Sequence, residues 1–127
     1  MPLVRIFLIE GKTVQYKQAI SDAVHRAMVD AIAIPSDDRF QIISEQCRED
    51  LVYDRGYLGI QRSDDIVMIQ ITLGSWRSAE QKKALYRGIT ANLAERPGLR
   101  PQDVLIALVE NERIDWSFGN GEASYVK

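Results

Sequence analysis

Cysteine and histidine are almost absent from this sequence, which has one residue of each type, Cys47 and His25. A single cysteine cannot form a disulfide within the chain, and these two residues cannot supply the four ligands of a structural zinc site. The sequence therefore excludes a disulfide scaffold, predicts no metal site and favours the reducing cytoplasm.

An excess of positive charge and a long apolar run are also missing. The 16 lysines and arginines and the 18 aspartates and glutamates leave a net charge of -2, so no broad positive field exists to bind nucleic acid. No segment approaches the roughly 20 consecutive apolar residues of a membrane-spanning helix. The apolar opening contains Arg5 and lacks a basic leader, which indicates a strand rather than a signal peptide. We expect a soluble protein without a nucleic-acid or membrane partner.

What the sequence does contain is an internal repeat. The 127 residues are 46% hydrophobic, enough for one packed domain and too short for two large ones. A shift of 65 positions lays residues 3–46 on residues 68–111 without a gap, and it matches Asp38 with Asp103. Because the apolar positions coincide as well, we interpret the match as a structural duplication.

The duplication divides the single domain, residues 1–127, into two halves at about 2–46 and 67–111. The connecting segment, 47–66, includes a short apolar stretch at 51–53 that could add an edge strand. The remaining residues, 112–127, have aromatic side chains on either side of a Gly-Asn-Gly turn, which predicts a small C-terminal hairpin.

Each half has the pattern of a strand, a helix and a second strand. The predicted strands are residues 3–9, 40–44, 66–73 and 104–109. The predicted helices begin after Thr13 and Ser78, where Ser78 and Gln81 form a capping-box signature, and Pro97 ends the second helix.

Two such units predict an α/β (α+β) fold with one four-stranded mixed sheet and both helices on one face. Each unit is the right-handed crossover of a parallel strand pair. The first strand has apolar residues on both faces, with Val4 and Ile6 on one and Leu3 and Phe7 on the other. Since the helices cover only one face, we predict that the second face is buried against other subunits.

Pro2 is the first candidate for chemistry. A small residue after the initiator methionine permits removal of Met1, which would give Pro2 a free secondary amine. Such an amine is a strong nucleophile toward carbonyl groups and can act as a general base or a cationic acid. Alternatively, Pro2 only begins the first strand, where its missing N–H donor has no cost.

Several short motifs along nearly the whole chain accompany this opening. They are Leu8-Ile9-Glu10-Gly11, Ala27-Met28-Val29-Asp30-Ala31, Asp38-Arg39-Phe40-Gln41, Arg77-Ser78, Ala107-Leu108-Val109-Glu110-Asn111 and Asp115-Trp116-Ser117-Phe118-Gly119. With the proline opening and the duplicated unit, they resemble the tautomerase superfamily and, within it, the malonate semialdehyde decarboxylase group.

The resemblance implies a homotrimer in which Pro2 acts on a small oxo acid without a metal or organic cofactor. The family's catalytic aspartate falls on Asp38, and one of its carboxylate-binding arginines falls on Arg77. Decarboxylation of a 3-oxo acid such as malonate semialdehyde is the first expectation, and keto-enol tautomerisation of a 2-oxo acid is the second. The alternative from another class is a trimeric binding module without catalysis.

One stretch departs from the family's pattern. The decarboxylase group has two arginines separated by one residue after the third strand, whereas this chain reads Ser75-Trp76-Arg77 and lacks the first of them. Ser75 and Trp76 could accept a larger or less charged substrate. Trp116 and Phe118 would form an apolar wall of the site, although subunit packing explains such aromatics equally well.

The repeat also limits the number of sites. Val67, the repeat mate of Pro2, lies inside the chain and cannot offer a free amine, which predicts one active site per subunit. Because its repeat mate Asp103 stands where no catalyst can exist, part of the role of Asp38 is expected to be holding the turn between helix and strand, alongside its catalytic role. At the amine itself, Asp38 would raise the pKa from about 8, while Arg77 and burial would lower it.

Overall fold

Two strand-helix-strand units pair through their first strands. The computed structural model describes residues 2–127. In chain order the elements are β1 (Leu3–Ile9), α1 (Val14–Ile32), β2 (Gln41–Gln46), β3 (Val67–Gly74), α2 (Ala79–Glu95) and β4 (Val104–Asn111). The sheet order is β2-β1-β3-β4, in which β1 and β3 are antiparallel and the other two pairs are parallel. The predicted mixed sheet with both helices on one face is confirmed.

The duplication in sequence is also a duplication in space. In the first half Lys17, on α1, pairs with Glu45 on β2. In the second half their repeat mates, Lys82 and Glu110, form the same ion pair at 3.1 Å. Each helix is therefore tied to the outer strand of its own unit by the same contact.

The helix boundaries follow from local chemistry. Thr13 Oγ1 accepts a hydrogen bond from the Tyr16 amide at 3.1 Å, which satisfies one of the free donors of the first turn of α1. At α2, Ser78 Oγ accepts from the Gln81 amide at 3.1 Å and Gln81 Oε1 accepts from the Ser78 amide at 2.9 Å. The predicted cap and capping box are both confirmed, and α2 ends two residues before Pro97.

The hydrophobic core lies between the helices and one face of the sheet. Its largest fully buried side chains are Ile6, Leu8, Ile20, Met28, Ile32, Ile69, Ile71, Leu73, Leu85, Ile89 and Leu93. The opposite face of the sheet is open in the single chain. There Leu3, Ile42, Leu105 and Val109 are 37 to 46% exposed.

The connecting segment differs from its prediction. Residues 51–53 form no strand in the described chain, and one-turn helices stand at Arg48–Asp50 and Tyr57–Gly59 instead. Leu51 is buried against Ile9 and Ile66 at one end of the open face. Covering this apolar surface with side chains takes the place of pairing with an edge of the sheet.

The C-terminal segment also differs, because residues 112–127 form no strands. The chain reverses at Gly119 and Gly121, and the Ser124 amide donates to the Trp116 carbonyl at 3.1 Å. Aromatic side chains on both arms pack against Phe118 instead of alternating across a ladder. Within the described residues, no helix is both long and apolar enough to span a membrane.

Candidate active site

The sheet topology brings Pro2, Asp38 and Arg77 to one end of the sheet. β1 and β2 begin at this end, and β3 and β4 finish there, because Leu3 pairs with Thr72 and β3 runs antiparallel to β1. Pro2 directly precedes β1, Asp38 lies shortly before β2, and Arg77 lies shortly after β3. Residues far apart in sequence therefore surround the same end of the sheet.

Pro2 is buried at the entry to β1. The strand that follows it is held by its neighbour, because the Val4 amide donates to the Phe40 carbonyl at 3.0 Å. Met1 lies outside the described residues. The proline ring is thus carried by a paired strand and not by a free loop.

An aromatic cleft adjoins this strand entry. It has a volume of about 210 Å³ and is lined by Leu3, Phe40, Trp116, Ser117 and Phe118. The Phe118 ring stacks on Trp116 at 5.3 Å between centroids and lies 5.4 Å from Phe40. These contacts line the cleft with apolar rings.

Two further contacts fix the aromatic wall. Trp116 Nε1 donates to Asn111 Oδ1 at 2.7 Å, so the last residue of β4 sets the orientation of the indole. Tyr125 packs edge-on against Phe118, with 5.4 Å between the ring centroids. The C-terminal segment therefore closes the side of the cleft that the sheet leaves open.

Arg77 lies next to this wall but does not line the cleft. Its Nη1 donates to the carbonyl of Ile32, the last residue of α1, and its buried Nε has no hydrogen-bond partner among residues 2–127. Burial lowers the pKa of Arg77, and the nearby Tyr125 hydroxyl acts against that shift. The guanidinium as a whole is only half-buried, and its accessible part is suited to bind an anion.

The two repeat-mate aspartates occupy equivalent turns. The Asp38 amide donates to the Pro35 carbonyl, and the Asp103 amide donates to the Arg100 carbonyl, both at 3.0 Å. The Asp103 carboxylate, 1% exposed, accepts from Arg100 Nε at 3.2 Å and from both the amide and the hydroxyl of Ser63 at 2.7 Å. These bonds give Asp103 a structural role at its turn. They hold the segment that leads into β3.

Ser75 and Trp76 lie outside the cleft. Ser75 Oγ donates to Glu112 Oε1 at 2.8 Å, which links the segment after β3 to the segment after β4. Trp76 lies over Gly74, where a Cβ atom would collide with the indole ring, and its ring remains 36% exposed. The structure therefore separates these two residues from the aromatic pair Trp116 and Phe118.

Phe40 and Arg113 are two residues near the site that the sequence pattern does not indicate as site residues. The apolar character of Phe40 predicts only a strand position, and the parallel register with β1 brings it to the cleft. Arg113 begins a one-turn helix after β4, and its Cζ atom lies 4.3 Å from the centroid of the Trp76 ring. In residues 2–127, no three acidic, histidine or cysteine side chains are grouped to hold a metal ion.

Comparison with known proteins identifies related sequences. Two family models described as tautomerase enzyme match residues 38–119 and residues 2–53. A probable tautomerase of Bacillus subtilis (strain 168), YusQ, is 40% identical over 127 residues, which is the whole of both chains.

Solved structures with the same fold include two malonate semialdehyde decarboxylases. One, described with decarboxylase and hydratase activities, is 38% identical, has a TM-score of 0.92 and aligns over 97% of this chain and 95% of its own. The FG41 malonate semialdehyde decarboxylase, inhibited by 3-bromopropiolate, is 41% identical with a TM-score of 0.91 over 97% and 93% of the chains. A fused 4-OT symmetric trimer, 23% identical over 97% of both chains, shares the fold with a TM-score of 0.79.

Proposed function

The chain belongs to the tautomerase superfamily of enzymes, and on that premise we propose that Pro2, freed by removal of Met1, acts on a small oxo acid. The observation that carries the proposal is the burial of Pro2 at the entry to a paired strand, beside an aromatic cleft. The first reaction we propose is decarboxylation of a 3-oxo acid resembling malonate semialdehyde. Its support is the similarity over nearly the full chain to two such decarboxylases.

The proposed decarboxylation needs an electron-withdrawing nitrogen. The amine of Pro2 condenses with the aldehyde carbon, water leaves, and a cationic iminium forms. The bond to the carboxylate carbon then breaks, carbon dioxide departs, and the electron pair moves into the enamine. Protonation at carbon and addition of water release the product aldehyde and restore the amine. Alternatively, a protonated amine polarises the carbonyl oxygen without condensing.

Asp38 and Arg77 have distinct roles in this proposal. Arg77 binds the substrate carboxylate through the accessible part of its half-buried guanidinium and so orients the bond that breaks. Asp38, in the turn equivalent to that of Asp103, orients the amine or a water molecule. A carboxylate near the amine favours its cationic form, whereas an apolar wall favours the neutral form.

Keto-enol tautomerisation of a 2-oxo acid is the second candidate. The aromatic wall of Phe40, Trp116 and Phe118 favours a neutral amine, which could move a proton between carbon and oxygen. The resemblance to a probable tautomerase with 40% identity over the whole chain supports this candidate.

We further propose a homotrimer with one site in each chain. The open face of the sheet carries exposed apolar side chains that a partner subunit would cover, and a fused 4-OT with the same fold is a symmetric trimer. In the second half of each chain, Val67 is an internal residue and the Asp103 carboxylate is fully used by Ser63 and Arg100. Only the first half therefore offers an amine.

The deciding experiment compares the purified protein with its Pro2→Ala variant. Intact mass first establishes that Met1 is absent from both. Release of carbon dioxide from malonate semialdehyde and proton exchange at carbon in 2-oxo acids are then followed separately. We expect Pro2→Ala to lower kcat/KM for the active substrate by about 100-fold or more.

Pro101→Ala is the matched control and should leave activity unchanged, because Pro101 is exposed and lies on the turn before β4. Unchanged turnover in Pro2→Ala would contradict the mechanism. Retained Met1 together with no turnover on either substrate class would favour a trimeric binding module.

A further inference from the structure

Two arginines flank the exposed indole of Trp76. The guanidinium carbon of Arg113 lies 4.3 Å from the centroid of the ring, and that of Arg77 lies 5.9 Å from the same centroid. Among residues 2–127, neither guanidinium forms an ion pair with a carboxylate. Two positive charges are therefore held close to one aromatic ring without a negative partner in the described chain.

The acidic residues beside Arg113 are committed to other groups. Glu112 Oε1 accepts from Ser75 Oγ at 2.8 Å, and Asp115 Oδ2 accepts from the Glu112 amide at 2.8 Å. A second bond, from the Ser75 amide to the Asn111 carbonyl at 2.9 Å, joins the same two segments. These two hydrogen bonds join the segment that carries Arg77 to the segment that carries Arg113. Glu112 and Asp115 do not pair with the Arg113 guanidinium.

The positive charges of Arg77 and Arg113 both influence the Tyr125 hydroxyl. Burial raises the pKa of the Tyr125 hydroxyl, and the positive charges of Arg113 and Arg77 oppose that rise. The Tyr125 ring packs against Phe118, which lines the cleft. The cleft lining contains no cation, and Tyr125, which packs against Phe118, lies within electrostatic range of both arginines.

We propose that Arg113 is a second carboxylate-binding residue and that the enzyme prefers oxo acids that carry two carboxylates. This inference rests on the proposed function of the same site. Arg77, half-buried, binds one carboxylate, and Arg113, exposed over the Trp76 ring, binds the second. Arginine suits this role because its planar group presents paired donors to a carboxylate.

The test is calorimetric binding of unreactive acids to the full-length protein. Succinate and glutarate serve as dicarboxylate probes, and butyrate serves as the monocarboxylate probe. We expect Arg113→Ala to raise the Kd of the better dicarboxylate roughly fivefold to tenfold and that of butyrate less than twofold. Arg113→Lys retains the charge and should recover part of the loss. Arg87→Ala removes an exposed arginine on α2 and should change neither Kd.

The outcomes separate this inference from the proposed function. Equal weakening of dicarboxylate and butyrate binding, no weakening, or no binding of either dicarboxylate by the unaltered protein would overturn the role of Arg113. Because these probes cannot react, the comparison of Arg113→Ala with the unaltered protein does not depend on the chemistry proposed for Pro2. If Pro2→Ala keeps full turnover in the separate activity assay, the proposed mechanism fails while the binding role of Arg113 stands.

Discussion

At the scale of single residues, the repeat places the same side chain in two settings. Asp38 and Asp103 occupy turns with the same backbone hydrogen bond. The strand entry near Asp38 contains Pro2, whereas the equivalent entry in the second half runs through Ser63, which binds Asp103 directly. One duplicated residue can thus serve structure in one half and chemistry in the other.

The first residue-scale prediction concerns this pair. Asp103→Ala removes a buried carboxylate and leaves the amide and hydroxyl of Ser63 and the guanidinium of Arg100 without their acceptor. We expect it to lower the free energy of unfolding by about 3 kcal/mol, measured by urea titration.

The matched variant is Asp38→Ala. On the proposed function, it should reduce kcat/KM by more than Asp103→Ala does at a temperature where both proteins are folded. A loss of turnover confined to Asp103→Ala would reverse the assignment of roles.

At the scale of secondary structure, the two helices begin with equivalent caps but differ in completeness. Thr13 makes one capping bond at α1, whereas Ser78 and Gln81 make a reciprocal pair at α2. Helix ends leave backbone donors unsatisfied, and a capping side chain replaces the water that would otherwise bind them.

We predict that Ser78→Ala lowers the free energy of unfolding by about 1 kcal/mol, because the Gln81 amide loses its acceptor. Chemical denaturation monitored by circular dichroism gives the value. Ser36→Ala is the control, since Ser36 is exposed and only its backbone carbonyl forms a bond, to His25. Equal effects of the two substitutions would show that the cap contributes nothing to stability.

At the scale of the whole molecule, the sheet has one covered and one open face. Val104, Ile106 and Leu108 of β4 pack against the core, while Leu105 and Val109 project to the other side. An open apolar sheet face is a surface that soluble proteins normally cover with another subunit.

Two equally exposed large hydrophobic residues, one on the open sheet face and one on the helical layer, can test where the subunits of the proposed trimer meet. Leu105, 39% exposed, lies on the open face, and Tyr86, 38% exposed, lies on α2. We expect Leu105→Glu to dissociate the proposed trimer, because a charge would be buried in the interface. Tyr86→Glu should leave the mass measured by light scattering at that of three chains. Dissociation by Tyr86→Glu alone would move the interface to the helical layer.

The sequence by itself determined the features that depend on local pattern. The repeat, the two capped helices, the four strands and the two unlike faces of the sheet all follow from apolar periodicity and from residues such as Thr13 and Ser78. The motifs around Asp38, Arg77 and Trp116 also indicated the superfamily. Each of these features involves neighbours in the chain or the spacing of one element.

Only the tertiary structure decided which distant groups meet. Strand register placed Phe40 in the cleft, and packing of the C-terminal segment placed Tyr125 against Phe118. The fit of Trp76 over Gly74 placed Arg113 beside the indole. Leu51 covered apolar surface instead of joining the sheet. The physical reason is that such contacts depend on the geometry of several elements at once, which no spacing along the chain encodes.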